Sequence, residues 1–429
     1  MRSATFLFVL LSVSLSIAQT GRQNSGQPGS SYLVQKVTSV GSRRFVERDI
    51  VQALGLRPGT RVTVDDLNAA GNRLLQTGVF TQVAFRLDGQ TATYTVTDAT
   101  QFLPVTFENF VWFSRDDLVQ RLQNAVPFFD GSVPTSGNLT NQVSSALDAI
   151  LKANNVTGQT IAARTPADSP QSVQFRIDGI EVKIAEIRFP GAASERAPLL
   201  RTATRKILSE SYNESLTPGE VTQWARAVYG KLGFLKVQFG STKVSVVQDD
   251  AKSPSIALDL PVEEGPQYTF AGADWSGNKA IATSDLSKVT NLKLGAPADT
   301  SQLAVVVAAA KALYGNKGYM LAGVKATATL DNEKHTSVLH LTIDEGPIYH
   351  MGKLVLLSLP PDQEAIVRHV WEIKPGDVYD SAYANTFLPK HPRELKFLSG
   401  FATQYTQTIH DDTQIVDLTL KFQKMQPQP

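Results

Sequence analysis

The side chains able to do chemistry are few and poorly grouped. Two carboxylate pairs, Glu263-Glu264 and Asp344-Glu345, could act as general acid and base, because neighbouring carboxyls push each other's protonation apart. Both pairs close an alternating apolar run and stand directly before Gly-Pro, which reads as a solvated strand end rather than a cleft. The six histidines, His335, His340, His350, His369, His391 and His410, are scattered. His335 and His340 lie five apart on an expected strand and so point to opposite faces, and no metal site is expected. The chain has no cysteine, which excludes disulfides, thiolate zinc sites, thiol nucleophiles and a lipidated N-terminal Cys. Gly-x-Ser-x-Gly, phosphate-loop and His-Glu-x-x-His patterns are absent. The sequons at Asn138 and Asn155 fall in polar stretches and read as chance. Trp112, Trp224, Trp275 and Trp371 could line a ligand belt, but helical spacing puts Trp224 on a core face and the others read as core too. No catalytic residue and no cofactor are expected. The chemistry left is that of the main chain.

The elements that would present that main chain recur. Asp344-Glu345-Gly346-Pro347-Ile348-Tyr349 copies Glu263-Glu264-Gly265-Pro266-Gln267-Tyr268, with the glycines 81 residues apart. Each copy follows a period-two apolar run: Ile256, Leu258 and Leu260 before the first, Val338, Leu339, Leu341 and Ile343 before the second. Gly-Pro stops the strand and the aromatic two residues on begins the next. A second marker keeps the same beat: Gly233-Phe234, Gly318-Tyr319 and Gly400-Phe401 are 85 and 82 residues apart, and Gly78-Val79-Phe80 lies 155 upstream of Gly233. Two markers with one period identify a repeat protein.

The first repeat, 32–98, has a short helix over Asp49–Leu54 and a second opened by Thr63 with Asp66 three residues on, a variant of the capping box. Gly78 falls where that helix needs a left-handed residue, and two alternating strands follow. The order is β-α-α-β-β. The second repeat, 103–178, is degenerate: Asn154-Asn155 replaces the Gly-aromatic step, and 127–138 reads as a loose loop. The third, 181–264, opens its second helix at Thr217-Pro218-Gly219-Glu220, with Thr217 as cap, and an apolar face of Val221, Trp224, Ala225, Val228 and Leu232. The fourth, 266–345, has the matching face Leu303, Val306, Val307, Ala310, Leu313 and Tyr314. In the fifth, 347–422, Pro389 and Pro392 break or shorten the second helix. Residues 423–429 read as a polar tail.

Composition fits several small domains. The 429 residues are 42% hydrophobic and 19% charged, ordinary globular material. Forty-one basic and 40 acidic residues nearly cancel without a basic block, which argues against nucleic acid as a partner. Residues 1–18 read as an export signal: Arg2, an apolar run from Thr5 to Leu15, and a small-residue cleavage site at Ser16-Ile17-Ala18. Residues 19–31 read as a disordered leader. An exported protein with only peripheral membrane association follows.

The β-α-α-β-β order, the Gly-aromatic step, the Leu74-Leu75-Gln76-Thr77-Gly78-Val79-Phe80 stretch and the Glu-Gly-Pro-x-Tyr seams resemble POTRA domains (polypeptide-transport-associated domains). The resemblance runs over 32–422, and five tandem copies match the periplasmic part of BamA-like outer-membrane barrel-assembly factors. It implies an α+β fold of five POTRA-like repeats in an elongated string. A transmembrane barrel follows the last POTRA domain in that family, whereas seven residues follow Phe422 here, so no barrel is expected.

The resemblance also places the strand after each Gly-aromatic step at a sheet edge, with N–H and C=O groups free to pair with an extended peptide. The candidate edges are 81–87, 235–246 and 321–330, with Phe85, Val237, Gln238 and Phe239 setting the register of a client strand. Gly78, Gly233, Gly265, Pro266, Gly318, Gly346, Pro347 and Gly400 are the expected seam and turn residues. The implied partners are unfolded outer-membrane β-barrel proteins or a barrel-assembly protein, met in the periplasm or peripherally at the outer membrane. Three readings stay open: a client-binding scaffold, the soluble half of a split translocon working with a separate barrel, and a cell-envelope spacer.

Overall fold

The computed structural model describes residues 31–290 and 292–425. The expected export signal, leader residues 19–30 and tail residues 426–429 lie outside the described residues. Ser31, assigned to the leader, instead opens the first strand, and Gln423 and Lys424, assigned to the tail, belong to the last. The fold is α+β, and the chain divides into two compact units, one ending at Ile180 and the other beginning at Glu181.

In the first unit, β1 (Ser31–Val34) pairs antiparallel with β3 (Thr60–Thr63), while β2 (Lys36–Val40), β4 (Phe80–Asp88) and β5 (Thr91–Asp98) form a sheet in the order β2-β5-β4. Helices α1 (Glu47–Leu54) and α2 (Val64–Thr77) pack on it. The second segment runs β6 (Phe102–Phe107), α3 (Arg115–Ala125), β7 (Ser132–Pro134), α4 (Leu139–Ala153), β8 (Thr160–Arg164) and β9 (Val173–Ile177), with sheet order β7-β6-β9-β8. Both segments thus insert a short strand between their helices, which the expected β-α-α-β-β order lacked. The stretch 127–138 is not a loose loop: Phe128 and Phe129 are buried, and the Phe128 ring meets Phe45 and Phe80 edge-on at 5.1 and 5.4 Å. One hydrophobic core therefore serves both segments.

The capping box at the start of α2 forms in full. Asp66 N–H donates to Thr63 Oγ1 at 3.2 Å, and Thr63 N–H donates back to Asp66 Oδ2 at 2.8 Å. That backbone bond from Thr63 is the first cause of an Asp66 carboxyl held below the usual aspartate range. Thr63→Ala should speed amide exchange in the first turn of α2 by about fivefold, the usual loss for a cap, while the last turn is unchanged. Equal acceleration in both turns would contradict a local cap.

In the second unit the same plan occurs three more times. The third segment comprises β10 (Lys183–Arg188), α5 (Ala197–Thr204), a 3-10 turn (Arg205–Ser209), α6 (Thr217–Lys231), β11 (Gln238–Phe239), β12 (Lys243–Gln248), β13 (Ser255–Asp259) and β14 (Val262–Glu263). Its sheets are β10-β13-β12 and β11-β14. The fourth has β15 (Thr269–Ser276), α7 (Thr283–Thr290), α8 (Ser301–Gly315), β16 (Gly323–Asp331) and β17 (Thr336–Asp344), ordered β15-β17-β16. The fifth has β18 (His350–Leu357), α9 (Pro361–Val370), α10 (Tyr383–Lys390), β19 (Phe401–His410) and β20 (Ile415–Lys424), ordered β18-β20-β19. In these segments the inserted strand shrinks to single bridges, Lys183–Ser211, Thr269–Pro297 and His350–Val378. Helix α10 carries Pro389 inside and has 8 residues, against 15 in α6 and in α8.

Three local readings need correction. Thr217 is the first residue of α6 rather than its cap, and its buried hydroxyl accepts the Asn213 N–H at 3.0 Å. The buried row of α6 is Val221, Ala225 and Tyr229, repeated in α8 as Val306, Ala310 and Tyr314. Trp224 is exposed, not on the core face. The row turned because each helix buries a tyrosine whose hydroxyl has a polar partner below.

Candidate functional site

In each sheet of three or four strands, one of the two edge strands is β4, β8, β12, β16 or β19. The expected edge 81–87 lies inside β4, and 321–330 overlaps β16, which begins at Gly323 after a turn. The expected edge 235–246 is not one strand. Residues 235–237 turn, β11 pairs two residues with β14, and β12 resumes at Lys243. Pro261, between β13 and β14, has no N–H to give the ladder, and a Cβ on Gly240 would lie 3.1 Å from its ring. Gly240 N–H instead donates to the Pro261 carbonyl at 2.9 Å.

The four residues nominated to set register are differently placed. Phe85 is half-buried against Tyr94, with centroids 5.7 Å apart, so it packs on its own domain. Val237 is buried and lies in the turn. Gln238 is exposed and stands opposite Glu263, and Phe239 is half-buried between Tyr229 and the Arg226 guanidinium. Phe85 belongs to the first unit and the other three to the second.

Of the three expected edges, β16 alone pairs in unbroken register. Thr327, Ala328 and Thr329 are exposed in mid-strand, and all nine residues are in register with β17. Beside it, on the helix side, opens a cavity of about 390 Å³ lined by Leu235, Phe270, Leu303, Ala328 and Leu339, with Lys231 and Lys293 also in its wall. An edge next to an apolar cavity offers both main-chain pairing and a place for alternate side chains.

The carboxylate pairs behave otherwise than expected. The second acid of each is not solvated but holds the segment together. Glu264 is 14% exposed at its side chain; it accepts the Tyr229 hydroxyl at 2.8 Å and the Ala193 N–H at 2.9 Å, and pairs with Arg196 at 3.4 Å. Glu345 accepts the Lys279 and Ala280 N–H groups, both at 2.7 Å, and the Tyr314 hydroxyl at 2.9 Å. Asp98 does the same in the first segment, taking Arg43 and Arg44 N–H at 2.7 and 3.1 Å. Burial pushes the Glu345 carboxyl up, but the bonds from Ala280, Lys279 and Tyr314 outweigh it and leave the group below its ordinary value. Burial and the carboxylate partner both push the Tyr229 and Tyr314 phenols up. The signal in the sequence was present but unread: an acid two residues after a strand-end Val or Ile, with a helical tyrosine 35 or 31 residues before it.

The glycine markers share one backbone conformation. Gly78, Gly233, Gly265, Gly318, Gly346 and Gly400 all have φ between +65° and +89°. Tyr268 and Tyr349, the aromatics that follow Pro266 and Pro347, are buried and donate their N–H to the carbonyls of Gly233 and Gly318, both at 2.8 Å. Asn155 takes a left-handed φ of +59° where the second segment lacks its glycine. Of the histidines, His335 sits in the β16–β17 turn and not on a strand, whereas His340 lies on β17 and reaches Asp274 at 3.3 Å. Among the described residues no three His, Asp or Glu side chains gather to hold a metal, and no helix is long and apolar enough to cross a membrane.

Comparison with known proteins matches residues 268–346 to the POTRA family, described as surface antigen variable number repeat. A protein of Treponema pallidum (strain Nichols) named as an outer membrane protein assembly factor is 23% identical over 262 residues, which are 59% of this chain and 30% of that one. The chain thus spans under a third of that relative's length. Among solved structures, Haemophilus influenzae BamA POTRA3-5 is 21% identical with a TM-score of 0.42, covering 57% of this chain and 96% of that one. The N-terminal domain of Omp85 from Thermosynechococcus elongatus is 17% identical with a TM-score of 0.26, covering 57% and 98%. Residues 268–346 thus match the POTRA family, and the chain is similar to a protein named as an outer membrane protein assembly factor.

Proposed function

We propose that this chain is an exported scaffold of five POTRA domains, 32–98, 103–178, 181–264, 266–345 and 347–422, that binds extended segments of outer-membrane β-barrel proteins or of a barrel-assembly partner. It works in the periplasm. Binding is strand addition to open sheet edges, and no step of it calls for a catalytic residue. The observation that carries this reading is the β16 edge beside its apolar cavity. Main-chain bonds give affinity there without demanding one sequence, which suits many clients. The family match at 268–346, which contains that edge, and the assembly role in the relative's name support it.

A photoreactive residue at Thr327, exposed on β16, tests the reading in intact cells. Crosslinks to a spread of barrel precursors are expected. One barrel protein as the sole adduct would favour the split translocon, and no adduct would leave a spacer.

A further inference from the structure

We propose that β19 is a self-association edge, pairing antiparallel with β19 of a second copy of this chain. The edges β4, β8, β12 and β16 carry the devices that natural sheets use against such pairing. Arg86 and Asp88 lie on β4, Arg164 on β8, Lys243 on β12, and Lys325 and Asp331 on β16. The ladders of β4 and β12 are also interrupted by register shifts. Strand β19 has neither. Phe401-Ala402-Thr403-Gln404-Tyr405-Thr406-Gln407-Thr408-Ile409 contains no charge and no proline, and all ten residues to His410 pair with β20 without a shift.

Its helix-side face is only partly covered. Tyr405 and Gln407 point to that side, since the Tyr405 hydroxyl accepts from Asn385 on α10 at 3.1 Å and Gln407 donates to Tyr379 at 2.9 Å. Because α10 is cut short by Pro389, Tyr405 stays 42% and Ile409 37% exposed. A second copy is the occupant that fits these positions. With the two-fold axis at Tyr405, opposite residues sum to one register: Tyr405 meets its own counterpart, Ile409 meets Phe401, and Thr403 meets Gln407. Both exposed apolar side chains are then covered by aromatic ones on the same face, and no like charges meet. The two three-stranded sheets become one of six strands, with the helices of both copies on one side.

Sedimentation velocity of the purified chain over a concentration series tests this without any client. A reversible dimer is expected. Tyr405→Lys sets two ammonium groups opposite each other and should weaken the dimer by about tenfold or more, with circular dichroism unchanged because the site is exposed. The absence of native cysteine allows a register test. Tyr405→Cys should form an intermolecular disulfide on mild oxidation, since directly opposed Cα atoms lie within about 5.5 Å. Ile409→Cys should not, because its counterpart is eight residues along, roughly 26 Å away at about 3.3 Å per residue. A monomer at every concentration, a dimer indifferent to Tyr405→Lys, or equal crosslinking at both cysteines would each overturn the proposal.

Discussion

Gly277→Ala should destabilise the sheet of β15, β16 and β17 by about 3 kcal/mol, near the upper end for a single methyl. Gly277 has φ +81°, and a Cβ there would lie 2.1 Å from the Ile343 carbonyl oxygen, an atom fixed in the sheet backbone. The first and third segments repeat the arrangement: Gly41 against the Val96 carbonyl and Gly191 against Val262, each at 2.2 Å. A left-handed alanine alone costs about 1–2 kcal/mol, and the rest comes from forcing the chain off the carbonyl. Whole-chain melting would blur several domains, so the readout is amide exchange resolved by peptide. Exchange across 269–276 and 336–344 should accelerate about a hundredfold. Gly346→Ala is the control, with φ +65° but open space around its Cβ, and should show only the left-handed cost. Equal effects at the two sites would refute the contact as the cause.

Glu345→Ala should cost about 2–3 kcal/mol, because it strands two loop N–H groups and a buried tyrosine hydroxyl that share one carboxylate. The effect should carry a pH signature. The folded carboxyl is held below its ordinary value of 4.5, so its contribution is complete above that value and is lost as pH falls toward and through the lower folded one. Exchange across β15 and the 277–282 loop of the native chain should therefore accelerate on acidification through that window. The Glu345→Ala chain, already weakened at neutral pH, should lack that component. Parallel acid profiles for the two proteins would sink the assignment.

The repeat period, the helix order and the left-handed glycines were legible because they depend on local backbone rules, which sequence spacing reports directly. The buried rows were half legible. A 100° apolar stripe through Val221 admits Trp224 as readily as Tyr229, and the choice falls to Tyr229 because Glu264 waits for its hydroxyl. That partner comes from the far end of the segment, beyond the reach of periodicity. The carboxylates were misread for the same reason: an acid before Gly-Pro looks solvated until the loop that donates to it is folded against it. The edge at 235–246 failed through Pro261, whose missing N–H breaks a strand some twenty residues earlier in sequence. The edge β19 drew no notice because a Thr/Gln-rich run reads as merely polar, whereas its lack of charge matters only once the strand lies outermost.

The two junctions inside the second unit have the same bonds. Thr300 N–H donates to the Gly230 carbonyl and Ser381 N–H to Gly315, each beside a donor from the helix's own segment, Gly233 or Gly318, so each carbonyl takes one N–H from either side of the seam. The dependence runs both ways along the chain, because Tyr268 and Tyr349 N–H also lean on the upstream Gly233 and Gly318 carbonyls. During synthesis each domain would emerge with its second helix already capped from within and its seam still open, and the seam would close as its successor folds. A cut at either seam would accordingly loosen the domains on both sides of it.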